Sequence, residues 1–76
     1  MKYFNELKER ERVQLIKTAY PKGTRIKLYS MKGELQMKEG LEGTVMFVDD
    51  IGQIHVKWEN GSTLALQEHD SYSIIS

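Results

Sequence analysis

A strict alternation of apolar and polar residues over residues 54–58 constrains this chain more than any other feature. Ile54, Val56 and Trp58 alternate with two polar residues, which is the period of a β-strand with one buried and one outward face. A tryptophan that shares a face with two β-branched residues is more typical of a core than of a surface that stacks bases. We therefore expect a strand here, with Trp58 in the core and His55 on the outward side.

Turn signals on both sides of this strand predict that it is the middle strand of a three-stranded meander. Asn60-Gly61 is typical of a two-residue type I′ hairpin, in which both residues take a positive φ. On the other side, the connection at residues 49–52 ends in Gly52, which can adopt the left-handed conformation. Residues 43–66 are thus predicted to form the centre of a small antiparallel barrel.

The first strand of this meander, residues 44–48, does not alternate simply. Val45 and Val48 are three residues apart, so they share a face only if the strand contains a β-bulge. Such a bulge, near Met46 and Phe47, turns one of these two side chains outward.

Two further strands flank the meander. Residues 24–29 alternate with Ile26 and Leu28 toward the core, and residues 71–75 form a short last strand. About five strands therefore form the barrel, and we assign residues 20–76 to it.

A helix precedes the barrel. It is predicted over residues 5–18, with Asn5 as its N-cap and Pro21 as its stop, so residues 1–19 form a helical segment packed on the barrel. Two apolar stripes run along it. We expect the first stripe to pack on the barrel; it contains Val13, Ile16 and Tyr20. We favour the same position for the second stripe, the alternative being contact with a partner or a second copy of the chain; it contains Phe4, Leu7 and Leu15, interrupted by Glu11.

The loop at residues 30–42 is long for so small a domain, and loops of this length are usually functional or mobile. Its apolar residues either tuck under the barrel as a plug or form an adaptable contact surface, and the sequence leaves both alternatives open. These residues are Met31, Leu35, Met37 and Leu41.

The charges are unevenly distributed along a chain whose formal net charge is zero. Residues 1–27 carry eight basic and three acidic residues, whereas residues 28–76 carry three basic and eight acidic ones. One interpretation is that a +5 segment and a −5 barrel attract each other; the other is that one pole meets a partner of opposite charge. Binding of nucleic acid would use the basic pole, with Arg10, Arg12, Arg25 and Lys27 as candidate residues.

Motifs of catalysis, metal binding and membrane insertion are missing from the sequence. There is no cysteine and no glycine-rich phosphate loop. Asp49-Asp50 is typical of a turn, and neighbouring residues around His69 rarely converge on one ion. We therefore expect no catalytic residues, no metal and no cofactor. Without a long apolar run or a signal-peptide pattern, we expect a cytoplasmic protein with no membrane contact.

Three segments resemble the bacterial family known as domain of unknown function 4314. They are Tyr20-Pro-Lys-Gly-Thr-Arg-Ile-Lys-Leu28, Gly40-Leu-Glu-Gly-Thr-Val45 and the longer Val48-Asp-Asp-Ile-Gly-Gln-Ile-His-Val-Lys-Trp-Glu-Asn-Gly-Ser-Thr-Leu64. The resemblance runs from about Tyr20 to Ile75. It implies a Src-homology-3-like small barrel, a bacterial or phage origin that is often a mobile element, and no catalytic residues. The chain departs from the family pattern at residues 32–37.

Together these patterns predict a mainly β protein, a small antiparallel Src-homology-3-like barrel of about five strands with an N-terminal α-helix. The function that we favour is a non-enzymatic protein-interaction module, for example a small phage- or plasmid-encoded accessory or inhibitor protein. The alternative is a barrel that binds nucleic acid through its basic helix. The partner is then another protein, and the chain itself is a monomer or a weak homodimer through the helix. The candidate partner-binding residues are Leu35, Met37, Phe47 and His55.

Overall fold

The computed structural model describes the backbone of residues 2–76 and the side chains of residues 7–76. One α-helix precedes five β-strands: α1 (Lys2–Ala19), β1 (Arg25–Ser30), β2 (Glu42–Val48), β3 (Ile54–Trp58), β4 (Ala65–Leu66) and β5 (Ser71–Ile74). The prediction of a mainly β fold with an N-terminal helix is confirmed. Within this described part, no helix is both long enough and apolar enough to span a bilayer.

The five strands form one antiparallel sheet in the order β4-β3-β2-β1-β5. The predicted meander is present as β2, β3 and β4, and the last strand returns to pair with the first. A closed barrel, however, is not formed, because β4 and β5 are the two edges of the sheet. β4 contains only two residues, which gives β5 little backbone with which to pair. The sheet is therefore open at this point.

The inward side chains of the strands and of the long loop form a single core. Trp58 is 2% exposed, as predicted, and its indole N–H donates to the carbonyl oxygen of Leu64 at 2.9 Å. Gly43 lies opposite Trp58 in the register of β2 and β3, and a Cβ atom there would lie only 2.8 Å from the indole ring. The glycine therefore leaves room for the large ring beside the neighbouring strand. The core contains Ile26, Leu28, Met31, Met37, Val45, Ile54, Val56, Trp58 and Leu66.

The bulge predicted in β2 is confirmed. The register shifts between Val45 and Phe47, and as a result both Val45 and Val48 pack on the core. The extra residue turns Phe47 outward, where half of its surface is exposed.

The turn between β3 and β4 differs from the prediction. Gly61 has a φ of +88°, but no residue other than glycine has a positive φ within the described residues, so Asn60 does not. Gly61 N–H donates to Trp58 O, and Trp58 N–H donates to Ser62 O. This is a three-residue connection with one left-handed glycine at its end, and it replaces the predicted type I′ pair. It forms because the Asn60 side chain accepts a hydrogen bond from Ser62 N–H, which fixes Asn60 in the turn.

The helix begins at Lys2 rather than at Asn5, so Asn5 lies inside it and not at its N-cap. The first apolar stripe packs as predicted, since Val13 is buried and Ile16 and Tyr20 contact the core. The ring of Tyr20 also meets Tyr72 of β5 edge to face, at a centroid distance of 5.9 Å.

The predicted packing of the second stripe is wrong. Leu7 is 40% and Leu15 is 72% exposed. At about 100° per residue, Leu15 and Glu11 lie on the opposite side of the helix from Val13, so the two stripes cannot both face one sheet. Phe4 belongs to the same stripe, but its side chain lies outside the described residues.

The loop at residues 31–41 divides its apolar side chains between two environments. Met31 and Met37 are buried, and Leu41 packs on the core, which is the predicted plug. Leu35 is 93% exposed. Both alternatives therefore apply, each to different residues of the loop.

Candidate protein-binding surface

Phe47 and His55 lie side by side on the outward face of the sheet. Their Cα atoms are partners in the register of β2 and β3. The ring centroids are 4.3 Å apart and the ring planes are inclined by only 9°, so the two rings are stacked. Because Phe47 is half exposed, this stacked pair presents aromatic surface to solvent. Two of the four predicted partner-binding residues are therefore brought together.

Asp49 holds this pair from the adjoining turn. Its Oδ2 lies 2.8 Å from Nε2 of His55, and its Oδ1 accepts hydrogen bonds from the backbone N–H groups of Ile51 and Gln53 at 3.1 and 2.9 Å. Burial alone raises the pKa of the Asp49 carboxyl, but the hydrogen bonds from His55 and from the two backbone groups together bring that pKa below its usual value. Asp49 is therefore ionised at neutral pH and orients the imidazole ring.

The turn that contains Asp49 is also attached to the helix. Nη2 of Arg12 donates to the carbonyl oxygen of Ile51 at 2.9 Å, and Nζ of Lys17 lies 3.0 Å from Oδ1 of Asp50. Gly52 allows this approach, since a Cβ atom at that position would lie 3.0 Å from Nη2 of Arg12. The turn is thus held on one side by the helix and on the other by the hydrogen bond to His55.

Leu35 and Met37 do not join the stacked pair. The carbonyl oxygen of Gln36 accepts a hydrogen bond from Nδ2 of Asn60, which places this part of the loop beside the β3–β4 turn. Phe47 lies at the other end of β3, beside the β2–β3 turn. Leu35 is therefore a separate exposed apolar residue. The prediction that Met37 binds a partner is wrong. Met37 is only 5% exposed and belongs to the core, because the loop folds back under the sheet.

Two of the four basic candidates are occupied by contacts within the chain. The guanidinium group of Arg25 donates to Thr44 at 2.8 Å, to Glu42 at 3.0 Å and to Glu59 at 2.9 Å. Arg12 forms an ion pair with Glu9 in addition to its hydrogen bond to the β2–β3 turn. Both guanidinium groups therefore act in holding the fold.

The other two basic candidates lie on different elements. Arg10 is exposed on the helix, whereas Lys27 is half-buried in β1, directly opposite Glu42 of β2. The four basic candidates are thus divided between α1 and β1.

The turn before β5 contains the second histidine. Nε2 of His69 lies 3.6 Å from Oδ1 of Asp70, and Oδ2 of Asp70 accepts a hydrogen bond from Gln67 N–H. Among the side chains of residues 7–76, histidine, aspartate and glutamate do not gather in a group of three or more that could hold a metal ion.

Sequence reasoning missed the contact between Asp49 and His55. The sequence indicated that Asp49 forms a turn, but residue types alone did not indicate its hydrogen bond to His55. The bulge was the usable signal: it shifts the register by one residue and sets Phe47 opposite His55. Asp49 then begins the turn next to this pair.

Comparison with known proteins identifies a family. The model of the family described as Domain of unknown function (DUF4314) matches residues 9–73. This range contains β1 to β4, all of β5 except its last residue, and the part of α1 from Glu9 onward. No match was found among curated proteins or among solved structures. The chain therefore belongs to the family of domains of unknown function 4314.

Proposed function

We propose that this domain is a non-enzymatic protein-interaction module that contacts its partner through Phe47 and His55. The observation that carries the proposal is the stacked, half-exposed aromatic pair, held in place by Asp49. Aromatic residues are enriched at protein interfaces, where a few of them contribute most of the binding free energy. A pair that is already ordered loses less conformational entropy on binding than two free side chains would.

The alternative is binding of nucleic acid, and one observation favours it. Stacked aromatic rings at a surface can also stack on an unpaired base. Against this stands the charge: the formal net charge is zero, and residues 28–76 carry a net charge of −5, which opposes the approach of phosphates. The contacts of Arg12 and Arg25 within the chain further reduce the positive charge that is available.

The wider setting of the module is part of the same proposal. The pairing of the first strand with the last supports a Src-homology-3-like arrangement. We place the protein in the bacterial cytoplasm, encoded by a phage or plasmid, and acting as a small accessory or inhibitor protein. We assign the Asp49–His55 pair a positioning role and no catalysis, since Asp49 fixes both the turn and the imidazole ring.

The experiment compares three forms of the protein in one capture assay. Tagged wild type, Phe47→Ser and Leu35→Ser are each incubated with nuclease-treated lysate of the bacterial host, and retained proteins are quantified. We expect a retained partner whose recovery falls about tenfold or more with Phe47→Ser, as for loss of a central aromatic contact. Leu35→Ser is the matched control, since it removes an exposed apolar side chain at the other end of β3.

A parallel titration addresses nucleic acid. Random-sequence DNA and RNA are titrated at low and near-physiological salt, and binding through phosphates should weaken steeply, with a slope of about −0.9 per phosphate neutralised on duplex DNA. The proposal is contradicted if the domain binds nucleic acid below micromolar Kd at near-physiological salt and loses this binding when Arg10, Arg12, Arg25 and Lys27 are replaced. Equal recovery of the protein partner by wild type and Phe47→Ser would exclude Phe47 as the contact.

A further inference from the structure

The outer edge of β5 has no partner strand among the described residues 2–76. β5 pairs with β1 on one side and ends the sheet on the other. At the opposite edge of the sheet, β4 contains only two residues, whereas β5 contains four. A free edge strand presents a row of unpaired N–H and C=O groups, which is a template for another strand. The edge of β5 is therefore the longer of the two places at which this sheet can be extended.

The sequence of β5 does not protect this edge. Residues 71–76 contain neither a charged side chain nor a proline, two of the features with which proteins keep free edges from pairing. Ile74 and Ile75 are each nearly half exposed, and so is Tyr29 on the adjoining strand β1. Exposed apolar side chains thus border the free backbone groups, and a strand that pairs here also covers part of them.

The register shows which backbone groups of β5 are free. Ile75 N–H donates to the carbonyl oxygen of Arg25 on β1. Residues of an antiparallel strand alternate in the side to which their N–H and C=O groups point. Ser73 therefore also pairs with β1, whereas Tyr72 and Ile74 point their backbone groups away from it. The free groups are thus centred on Ser73.

This arrangement is complementary to itself under a two-fold rotation about an axis that passes through Ser73, perpendicular to the sheet. Tyr72 then faces Ile74 of the second copy, and each such pair exchanges two backbone hydrogen bonds. Tyr72 lies opposite the buried Leu28 in the register, and Ile74 lies opposite the buried Ile26. Both side chains therefore lie on the inner side of the sheet. An aromatic side chain beside a β-branched one is a favourable cross-strand pair.

We propose that two copies of the chain pair through β5 as antiparallel strands, with Ser73 of each copy at the two-fold axis. The occupant of the edge is a second copy because β5 matches itself in this register without opposing like charges, and because a two-fold pair uses both free edges and closes. Phe47 and His55 lie on β2 and β3, which β1 separates from β5. The inference thus goes beyond the proposed binding function and does not depend on it.

The first test measures association and its position in the wild type. A pair of short strands buries less than the roughly 800 Å² per partner of a standard interface, so the full chain is examined by sedimentation equilibrium from about 10 µM to 1 mM. Amide hydrogen exchange is followed by NMR over the same range. We expect exchange of the Tyr72 and Ile74 amides to slow as the concentration rises. The amides of Ser73 and Ile75 bond to β1 in each copy and should be protected at every concentration.

Charges at the axis test the register. Ser73 faces Ser73 of the second copy, so Ser73→Lys and Ser73→Glu each place two like charges directly opposite one another and should weaken association about fivefold. An equimolar mixture of the two variants places a lysine opposite a glutamate and should restore association. Thr63→Lys and Thr63→Glu are the matched controls, since Thr63 is exposed in the β3–β4 turn, and both should associate like the wild type.

Three outcomes would each overturn the inference. They are a wild type that stays monomeric at about 1 mM, exchange of the Tyr72 and Ile74 amides that does not depend on concentration, and a mixture of the two Ser73 variants that associates no more strongly than either variant alone. The exchange measurement uses the wild type only, so it decides the question even if a substitution at Ser73 lowers the stability of the fold.

Discussion

Trp58 shows how one side chain organises this small core. It is the only tryptophan of the chain, its ring is buried, and its N–H group donates to the carbonyl oxygen of Leu64. Burial of an indole normally leaves a polar atom to satisfy, and here the segment before β4 satisfies it. The same ring fills the space that Gly43 leaves on β2. One residue therefore connects three neighbouring strands of the sheet.

Replacing Trp58 by alanine should lower the free energy of unfolding by about 3–5 kcal/mol, because it leaves a large cavity and removes the hydrogen bond to Leu64. Denaturant unfolding followed by circular dichroism measures this change. In the wild type, tryptophan emission should be blue-shifted and poorly quenched by acrylamide. Emission like that of free tryptophan in water would contradict the buried position.

The two hairpin turns share one design. In the β2–β3 turn, the carbonyl oxygen of Asp49 accepts from Gly52 N–H, and Asp49 N–H donates to the carbonyl oxygen of Gln53. Trp58, Gly61 and Ser62 form the same two hydrogen bonds in the β3–β4 turn. The two glycines have φ angles of +87° and +88°. Their surroundings differ, since Gly52 lies against Arg12 and Ile16, whereas the space beside Gly61 is open. Substitution at Gly61 thus tests the backbone conformation alone.

Gly61→Val should destabilise the domain by about 1–3 kcal/mol, because a β-branched residue is strained at positive φ. Apart from the two neighbouring residues of the chain, no atom lies within 4 Å of the Cβ position, so the positive φ is the main source of the expected loss. Thermal or urea unfolding measures the loss, and Thr63→Val, an exposed change close to the same turn, is the control. A Gly61→Val variant as stable as the control would show that the turn conformation contributes little.

The stability of the whole domain should fall at both ends of the pH scale, for different reasons. The pKa of Asp49 is lower in the folded protein than in the unfolded chain. Its ionised carboxylate therefore adds to the free energy of unfolding above pH about 3.9, the ordinary pKa of an aspartate, and this gain is lost as the pH falls below that value. Burial, together with the nearby Tyr20 and Asp70, raises the pKa of Tyr72 to about 12. Its contribution is present below about pH 10 and is lost as the pH rises toward 12.

Chemical unfolding between about pH 2 and 12 separates the two effects. Asp49→Asn should flatten the acid limb relative to Asp50→Asn, and Tyr72→Phe should flatten the alkaline limb relative to Tyr29→Phe. Asp50 and Tyr29 are the exposed counterparts of the two residues. If Asp49→Asn and Asp50→Asn have the same acid limb, the hydrogen bonds of Asp49 do not stabilise its ionised form.

Local patterns predicted the parts of this fold that depend on neighbouring residues. The alternation at residues 54–58 located β3 and buried Trp58, and the spacing of Val45 and Val48 located the bulge. Parts that depend on distant contacts were not accessible in this way. Arg25 had the signature of an exposed strand residue, but Glu42 and Glu59 approach it only once three strands have come together.

The candidate surface was also predicted only where it depends on local patterns. Phe47 and His55 were identified from their outward positions, and the family was recognised from its motifs. Whether Met37 was a plug or a surface residue depended on the path of an irregular loop, which periodicity does not describe. Whether the second helical stripe is buried or exposed depends on the area of the sheet beside it, which the sequence does not show. One sheet can cover only one side of a helix, so this stripe is exposed.

The left-handed turn residue Gly61 also means that this position favours the mirror image of an ordinary amino acid. D-alanine prefers the positive φ that L-residues avoid, and Gly61 is exposed at the tip of its turn. A chain of 76 residues is within reach of chemical synthesis and ligation, so one D-residue can be introduced there. It would restrict the unfolded chain without straining the folded one, and should raise the free energy of unfolding by about 0.4–1 kcal/mol. The handedness of a single α-carbon thus decides whether a methyl group at this site stabilises or destabilises the domain.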